Sequence, residues 1–312
     1  MINRRHIRIK VMQSVYAMLH SKSDNLQKEE KFLYHSIDKM YELYVSMLQL
    51  MVEVRNMERN HIKIASQKFL ATPEELKPNT KFINNKVLLE LESSPSITKF
   101  VEDYKVDRWE TDSEFVNEIW KQVKESALYK KYMASEKNSF KKDKDFIIEL
   151  YKEIIAPNEK LADYFEGEQI SWTDDLPFVN TWVVKSLSKL KENHPFNLGN
   201  LYKDSDDKKF VVDLFRKVLL NHEKFEADIA EVTPNWDAER IADLDMILLK
   251  MAICEFLYFP SIPTRVTINE YIEISKDYST SKSSFFINGV LDKLLKKYTE
   301  SKRLNKVGRG LL

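Results

Sequence analysis

The chain has 312 residues, of which 43% are hydrophobic, and its 49 basic and 49 acidic side chains give a formal charge of zero. This hydrophobic fraction is sufficient for a buried core. The net charge of zero excludes a global electrostatic field that would draw the whole chain onto nucleic acid or an anionic membrane. Only five glycines and nine prolines interrupt a sequence rich in helix-forming residues, which predicts an all-α fold. The single cysteine, Cys254, excludes an intrachain disulfide framework and favours a reducing, cytoplasmic location.

Helical periodicity begins almost at the N-terminus. Ile7, Val11 and Met18 fall on one apolar stripe, with most of the neighbouring basic residues outside it, so the first helix is predicted to be basic on its exposed side. From Leu26 to about Leu70 the pattern continues without proline or glycine, which predicts one very long helix or a tight pair. Two prolines within residues 72–81 predict a connection after it.

Shorter helices are predicted along the rest of the chain. Their ranges are Asn85–Glu92, Ser113–Glu125, Asp145–Ile155, Pro177–Lys191, Asp206–Ala230, Asp237–Ile241, Asp243–Phe259, Thr267–Lys276 and Ser283–Tyr298. Polar residues 135–145 are expected to form a solvated loop, and the segment NHPFNLGN at 193–200 marks the clearest domain boundary. The basic tail at 301–312 is expected to be flexible.

One internal similarity allows two interpretations. Residues 146–165 align without a gap on residues 210–229, and the same alignment pairs Trp172 with Trp236. Two amphipathic helices can share this spacing by chance, or the segment is a duplication.

The residues that most catalytic sites require are missing. The isolated glycines form no phosphate-binding loop, and the six histidines form no metal-binding pair at helical spacing. Cys254 lies on an apolar stripe, as expected for a small buried residue. Thr267 and Glu270 match a capping box, and Gly289 within a helical pattern predicts a close helix crossing. The sequence therefore predicts neither an enzyme nor a bound cofactor or metal.

Four motifs in a fixed order resemble the NusB family of bacterial transcription antitermination factors. They are RRHIRIKVMQSVYAM near the N-terminus, then ILLKMAICEFL, INEYIEISK and FINGVLDKL in the C-terminal third. The resemblance covers residues 3–20 and 206–297, and it implies two perpendicular helical bundles. The expected organisation is a NusB-like domain of residues 1–20 plus 206–300, with residues 21–205 as a helical insertion of unassigned role.

The resemblance also implies a function without catalysis. Proteins of this family hold boxA-type single-stranded RNA from ribosomal RNA operon leaders, together with the small-subunit ribosomal protein NusE, in an antitermination complex with RNA polymerase. The implied RNA-binding residues are Arg4, Arg5, Arg8, Lys10 and Gln13. The implied partner-binding residues are Tyr16, Glu255 and Phe286.

Each of these assignments has an alternative. A short basic run is often only a solvated helix face, Gln13 can cap a carbonyl, and the two aromatic residues have core spacing. Glu255 interrupts an apolar helix and needs either a partner or solvent. For the whole chain, the alternative function is a helical protein–protein interaction scaffold whose activity lies in the insertion. A targeting domain of an RNA-modifying enzyme is disfavoured, because no glycine-rich cofactor loop is present.

Overall fold

The computed structural model describes residues 1–106, 108–136, 138–234 and 241–311, and within these ranges every regular element is helical. The predicted all-α class is confirmed. The predicted helix at 237–241 and Trp236 of the possible repeat lie outside the described residues. Over the described ranges, every helix is too short or too polar to cross a lipid bilayer.

The chain divides into two compact units. Unit 1 comprises residues 1–37 and 200–312, and unit 2 comprises residues 38–199. Helix α1, Arg4–Ser21, belongs to unit 1. Helix α2, Leu26–Ser66, is one continuous helix whose residues from Asp38 onward belong to unit 2. The boundary between residues 199 and 200 lies in the NHPFNLGN segment.

Unit 2 continues with nine helices in the described residues, most of them short. They are α3 Pro73–Leu76, α4 Lys86–Glu92, α5 Pro95–Tyr104, α6 Arg108–Thr111, α7 Ser113–Glu125, α8 Ala127–Ala134, α9 Phe140–Leu150, α10 Glu159–Glu168 and α11 Trp172–Lys189. A π-helical turn, Tyr151–Ile155, follows α9 directly. Helix α9 begins inside the predicted loop, because the Ser139 side chain accepts a hydrogen bond from the Lys142 amide and caps it there.

Unit 1 is completed by five α-helices among the described residues and by a short 3-10 helix, Gly308–Leu311. The α-helices are α12 Ser205–Leu220, α13 His222–Val232, α14 Asp243–Tyr258, α15 Thr264–Tyr278 and α16 Ser283–Glu300. Helix α14 packs against the other four and against α1, and every residue from Ile247 to Phe256 is buried. Such a helix is apolar on all sides because it has neighbours on all sides. Cys254 is fully buried in it, as predicted, and burial raises the pKa of its thiol well above the usual value.

The predicted capping box at Thr267 is wrong. Helix α15 begins one turn earlier, at Thr264, directly after Pro263. Thr267 therefore lies inside the helix, where its hydroxyl donates to the Glu255 carboxylate at 3.1 Å. Glu270 is bound by Arg5. Both side chains thus hold α15 to other helices rather than cap it.

The predicted close helix crossing at Gly289 is also wrong. Gly289 is exposed on α16, and a Cβ atom added there would have no other atom within 4 Å. The glycine therefore adds backbone freedom in the unfolded chain without permitting any contact in the fold.

We expect Gly289→Ala to stabilise unit 1 by about 1 kcal/mol, because alanine loses less backbone entropy in a helix interior. Urea denaturation of both proteins, followed by circular dichroism and fitted with a separate transition for each compact unit, measures this difference. A loss of stability would show that the residue has a packing role absent from the fold described here.

The C-terminal tail differs from the flexible segment expected from the sequence. The Val307 amide donates to the Pro260 carbonyl at 3.0 Å, and Lys306 Nζ donates to the Glu255 and Phe259 carbonyls at the end of α14. Burial lowers the pKa of Lys306 to about 8. Over residues 301–311 the tail is thus docked on unit 1.

Asp228 on α13 ties the tail to α16. Its carboxylate accepts from Lys297 at 2.9 Å, Tyr298 at 2.9 Å and Arg303 at 3.0 Å. Burial acts to raise the pKa of Asp228, but these hydrogen bonds outweigh it and lower the pKa from 3.8 to about 2. The carboxylate therefore stabilises unit 1 above pH 4, and this contribution is lost as the pH falls towards 2.

We expect Asp228→Asn to cost about 2 kcal/mol at pH 7, which is the free energy that corresponds to this pKa shift. The difference from wild type should shrink between pH 4 and pH 2, where the wild-type carboxylate also becomes neutral. Urea titrations at pH 7 and pH 3, fitted with a separate transition for each compact unit, measure both values. An equal difference at the two pH values would contradict the assigned role of the carboxylate.

Candidate functional site

Helix α1 is anchored on unit 1 along most of its length. The Ile2 amide donates to the Leu201 carbonyl at 2.8 Å, and the Asn3 side chain caps the helix by accepting from the His6 amide at 2.9 Å. Ile7 and Val11 are fully buried, and α1 packs against α12, α14 and α15. This packing determines the positions of Arg4, Arg5 and Arg8. We call these three residues the arginine face.

Arg4 is half-exposed and paired with an acid on α12. Its Nε lies 2.8 Å from Asp207 Oδ1, and 41% of its side chain is exposed against 8% for the aspartate. The guanidinium also lies over the Phe210 ring, 5.1 Å from its centroid. An exposed ion pair of this kind adds little stability, so the guanidinium can change partners at small cost.

Arg5 is held in the same way by an acid on α15. Its Nε and Nη2 donate to the two carboxylate oxygens of Glu270 at 3.0 and 2.9 Å. The side chain is 41% exposed. The hydrogen bond that Arg5 donates to Glu270 raises the pKa of Arg5, and the pKa of Glu270 is lowered by Arg5 and Arg8 against the opposing effect of burial.

Arg8 does not lie on the surface, contrary to the prediction. It is 2% exposed, and it donates to the fully buried Glu255 through Nε at 2.6 Å and Nη2 at 2.9 Å. The hydroxyls of Thr267 and Tyr271 donate to the same carboxylate at 3.1 and 2.7 Å. Burial acts to lower the pKa of Arg8, but the Glu255 charge outweighs it and raises the pKa. In this arrangement Arg8 cannot reach an RNA phosphate.

Two further basic residues of α1 differ from what the sequence suggests. Lys10 was predicted to bind RNA, but its side chain is 1% exposed because α1 is buried on more than one face. Burial and the nearby charges of Lys10 and Arg5 lower the pKa of His6 to about 4, so the imidazole is neutral at pH 7. Gln13 is partly exposed, one helical turn beyond Lys10.

The three predicted partner-binding residues occupy different environments. Tyr16 is 38% exposed, and its ring lies 4.0 Å from that of His20. Phe286 is partly exposed near the start of α16. Glu255 is fully buried and bound to Arg8, so its predicted place on a partner surface is wrong.

The arginine face is thus matched by acids from three other helices. Arg4, Arg5 and Arg8 pair with Asp207, Glu270 and Glu255 respectively. Sequence reasoning missed Asp207 and Glu270 as counter-charges because they are 203 and 265 residues from their partners. For Glu255 a signal was present, since a carboxylate in an apolar helix requires a partner. The site therefore contains two half-exposed guanidiniums, those of Arg4 and Arg5, that can exchange their carboxylates for another anion. It also contains one buried ion pair, Arg8–Glu255, that cannot.

Comparisons with known proteins identify the family. The sequence profile of the NusB family matches residues 180–296. Three relatives named Transcription antitermination protein NusB come from Salinibacter ruber, Chloroherpeton thalassium and Finegoldia magna, and they are 42%, 40% and 40% identical to this chain over 112, 109 and 90 residues. These alignments cover 36%, 35% and 28% of this chain and 70%, 52% and 66% of the relatives. No solved structure matched the chain. The identity and coverage of the Salinibacter ruber relative show that the chain belongs to the NusB family.

Proposed function

We propose that the chain is a transcription antitermination factor that binds boxA-type single-stranded RNA of ribosomal RNA operon leaders together with the ribosomal protein NusE. Family membership supports the antitermination role, because the curated relatives carry that name. A factor of this kind acts in the RNA polymerase antitermination complex, so we expect a cytoplasmic location.

The observation that carries the RNA-binding part is the exposure of two arginine side chains in the first turn of α1. Arg4 and Arg5 are each 41% exposed and lie on consecutive residues of α1. Guanidinium groups bind phosphates bidentately and stack on unpaired bases, as recognition of single-stranded RNA requires. Because carboxylates hold both groups in the free protein, an RNA phosphate can take the place of either carboxylate.

We assign different roles to the remaining predicted residues. Gln13 extends the RNA contact along α1, and Tyr16 and Phe286 contribute exposed aromatic area to the NusE surface. Arg8 and Lys10 act from the interior, and the Arg8–Glu255 pair fixes how α1 presents its first turn. The family profile begins at residue 180, so the role of α1 rests on its sequence motif and on its packing against α12, α14 and α15.

Crosslinking followed by sequencing of the bound RNA, with and without the ribosomal protein, tests this function. We expect ribosomal RNA leader sequences in the reads, with a higher yield when NusE is present, since the proposal has the partner and the RNA bind together. Reads without leader enrichment under both conditions would contradict the proposed function.

A further inference from the structure

A second candidate surface lies in unit 2, and it does not depend on the proposed RNA role. A groove of about 700 Å³ runs between the last turns of α2, the connection to α3, and the end of α7. We call it the α2–α3 groove, and it is lined in part by Glu58, His61, Ile64, Lys68, Glu75 and Lys124. Its volume is in the range of sites that take several side chains of a ligand.

Large apolar side chains are exposed in and beside this groove. Ile64, which lines it, is 62% exposed, and Phe69 and Leu70 in the adjoining connection are 100% and 84% exposed. Leu76 at the end of α3 is 60% exposed. Four large apolar side chains are thus exposed within 13 positions of the chain, and exposed apolar residues that cluster usually mark a contact with another protein.

The wall formed by α3 is fixed before any ligand arrives. Thr72 and Glu75 form a complete capping box, with the Thr72 amide donating to Glu75 Oε2 at 2.9 Å and the Glu75 amide to Thr72 Oγ1 at 3.2 Å. Lys68 Nζ donates to Glu75 Oε1 at 2.6 Å. Lys68 and Glu75 are thus paired with each other in the free protein, and the polar contact proposed for a ligand lies at a third residue of the groove.

That contact is provided by a buried carboxylate. Glu58 is 8% exposed, and its Oε2 has no hydrogen-bond partner among the described residues, although its carboxylate is bonded to the Tyr129 hydroxyl. Burial raises the pKa of Glu58, and Lys124 across the groove acts in the opposite direction. A buried oxygen without a partner is costly, and the terminal torsion of glutamate is soft enough for it to meet an arriving donor.

His61 supplies the complementary polar group. The indole Nε1 of Trp120 donates to His61 Nδ1 at 3.1 Å, so Nδ1 is the accepting nitrogen and Nε2 is the one that carries a proton. The lining of the groove therefore combines one carboxylate oxygen that lacks a donor, a ring nitrogen that can donate, and exposed apolar side chains. This combination is complementary to a segment that carries a cation between apolar residues.

We propose that the α2–α3 groove binds an amphipathic helix of a partner protein, with apolar side chains covering Ile64, Phe69 and Leu70 and one arginine or lysine bound to Glu58. This mode is helix-in-groove recognition, in which the apolar contacts give affinity and the charged contact fixes the register.

A library of displayed amphipathic helical peptides, selected on the full-length chain, tests the proposal. The library keeps leucines at one helical face and randomises the positions between them. We expect enriched peptides to carry arginine or lysine at one of these positions. One enriched basic peptide and its glutamine counterpart are then synthesised for titration.

Matched variants separate the two contacts. Phe69→Ser with Leu70→Ser should weaken both peptides about tenfold or more, because a peptide then loses its apolar contacts. Glu58→Gln should weaken the basic peptide about tenfold and leave the glutamine peptide unchanged. The controls are Ile170→Ser, an exposed aliphatic residue elsewhere in unit 2, and Glu53→Gln, another acid on α2.

Three outcomes would overturn the proposal. In the first, the selection enriches no peptide, or only acidic and neutral ones. In the second, Phe69→Ser with Leu70→Ser leaves peptide binding unchanged. In the third, the basic peptide binds Glu58→Gln as tightly as it binds the wild type. Sedimentation equilibrium tests whether the groove is instead occupied by a second copy of this chain. If the wild-type chain dimerises and the serine variant is monomeric, the groove binds a second copy and not a basic partner helix.

Discussion

Glu255→Gln is expected to destabilise unit 1 by about 3–5 kcal/mol, because it leaves the Arg8 guanidinium buried without a counter-charge. The amide keeps the size of the side chain and one oxygen that can accept from Thr267 or Tyr271, so the main loss is electrostatic. Since the chain has two compact units, a single unfolding curve need not be two-state. Hydrogen exchange of peptides from α1, α14 and α15 therefore measures the effect where it arises.

Two controls make this expectation specific. Glu30→Gln removes the same charge from a pair in unit 1 whose arginine, Arg216, is 51% exposed, and it should cost less than about 1 kcal/mol. Arg8→Met combined with Glu255→Gln removes both charges and should recover most of the lost stability. If the single Glu255 variant exchanged no faster than the Glu30 control, the buried pair would not be what holds α1.

Local sequence signals predicted those features of the fold that depend on neighbours in the chain. The scarcity of glycine and proline indicated an all-α fold, and α7 begins and ends at the predicted residues, Ser113 and Glu125. The apolar pattern around Cys254 predicted a buried helix, which is α14. In these cases the spacing of apolar residues and helix capping are sufficient, because both act within a few turns.

Features that depend on distant residues were not predictable in the same way. Arg8 precedes Val15 by seven residues, which is two helical turns, so it lies on the buried stripe of α1. An arginine is tolerated there only because Glu255 reaches it from α14, 247 residues further along the chain. Likewise, a helix beginning at Thr264 leaves Thr267 inside α15, where a hydroxyl can bond to Glu255. Pairings of this kind are properties of the tertiary fold.

Arg4→Gln combined with Arg5→Gln is expected to weaken the binding of a boxA-type RNA about a hundredfold and to reduce the salt dependence of binding, because two guanidiniums that can contact the RNA backbone are lost. Both side chains are 41% exposed and belong to surface ion pairs, so the variant should keep the wild-type helicity. Fluorescence anisotropy titrations at several salt concentrations, with NusE present, measure affinity and salt dependence together. Unchanged affinity and an unchanged salt slope would remove the RNA-binding role from α1.

Glu270→Gln is the complementary test, since it frees Arg5 from its carboxylate. If an RNA phosphate replaces Glu270 on binding, this variant should bind RNA about fivefold more tightly than wild type, because the free protein no longer offers a competing anion. Glu273→Gln is the matched control: it removes the same charge three residues further along α15, from an acid that forms its ion pair with Lys276 and interacts with Arg5 only at longer range. An equal gain from both variants would indicate a general charge effect, whereas a gain confined to Glu270→Gln indicates that the carboxylate and the RNA compete for one guanidinium.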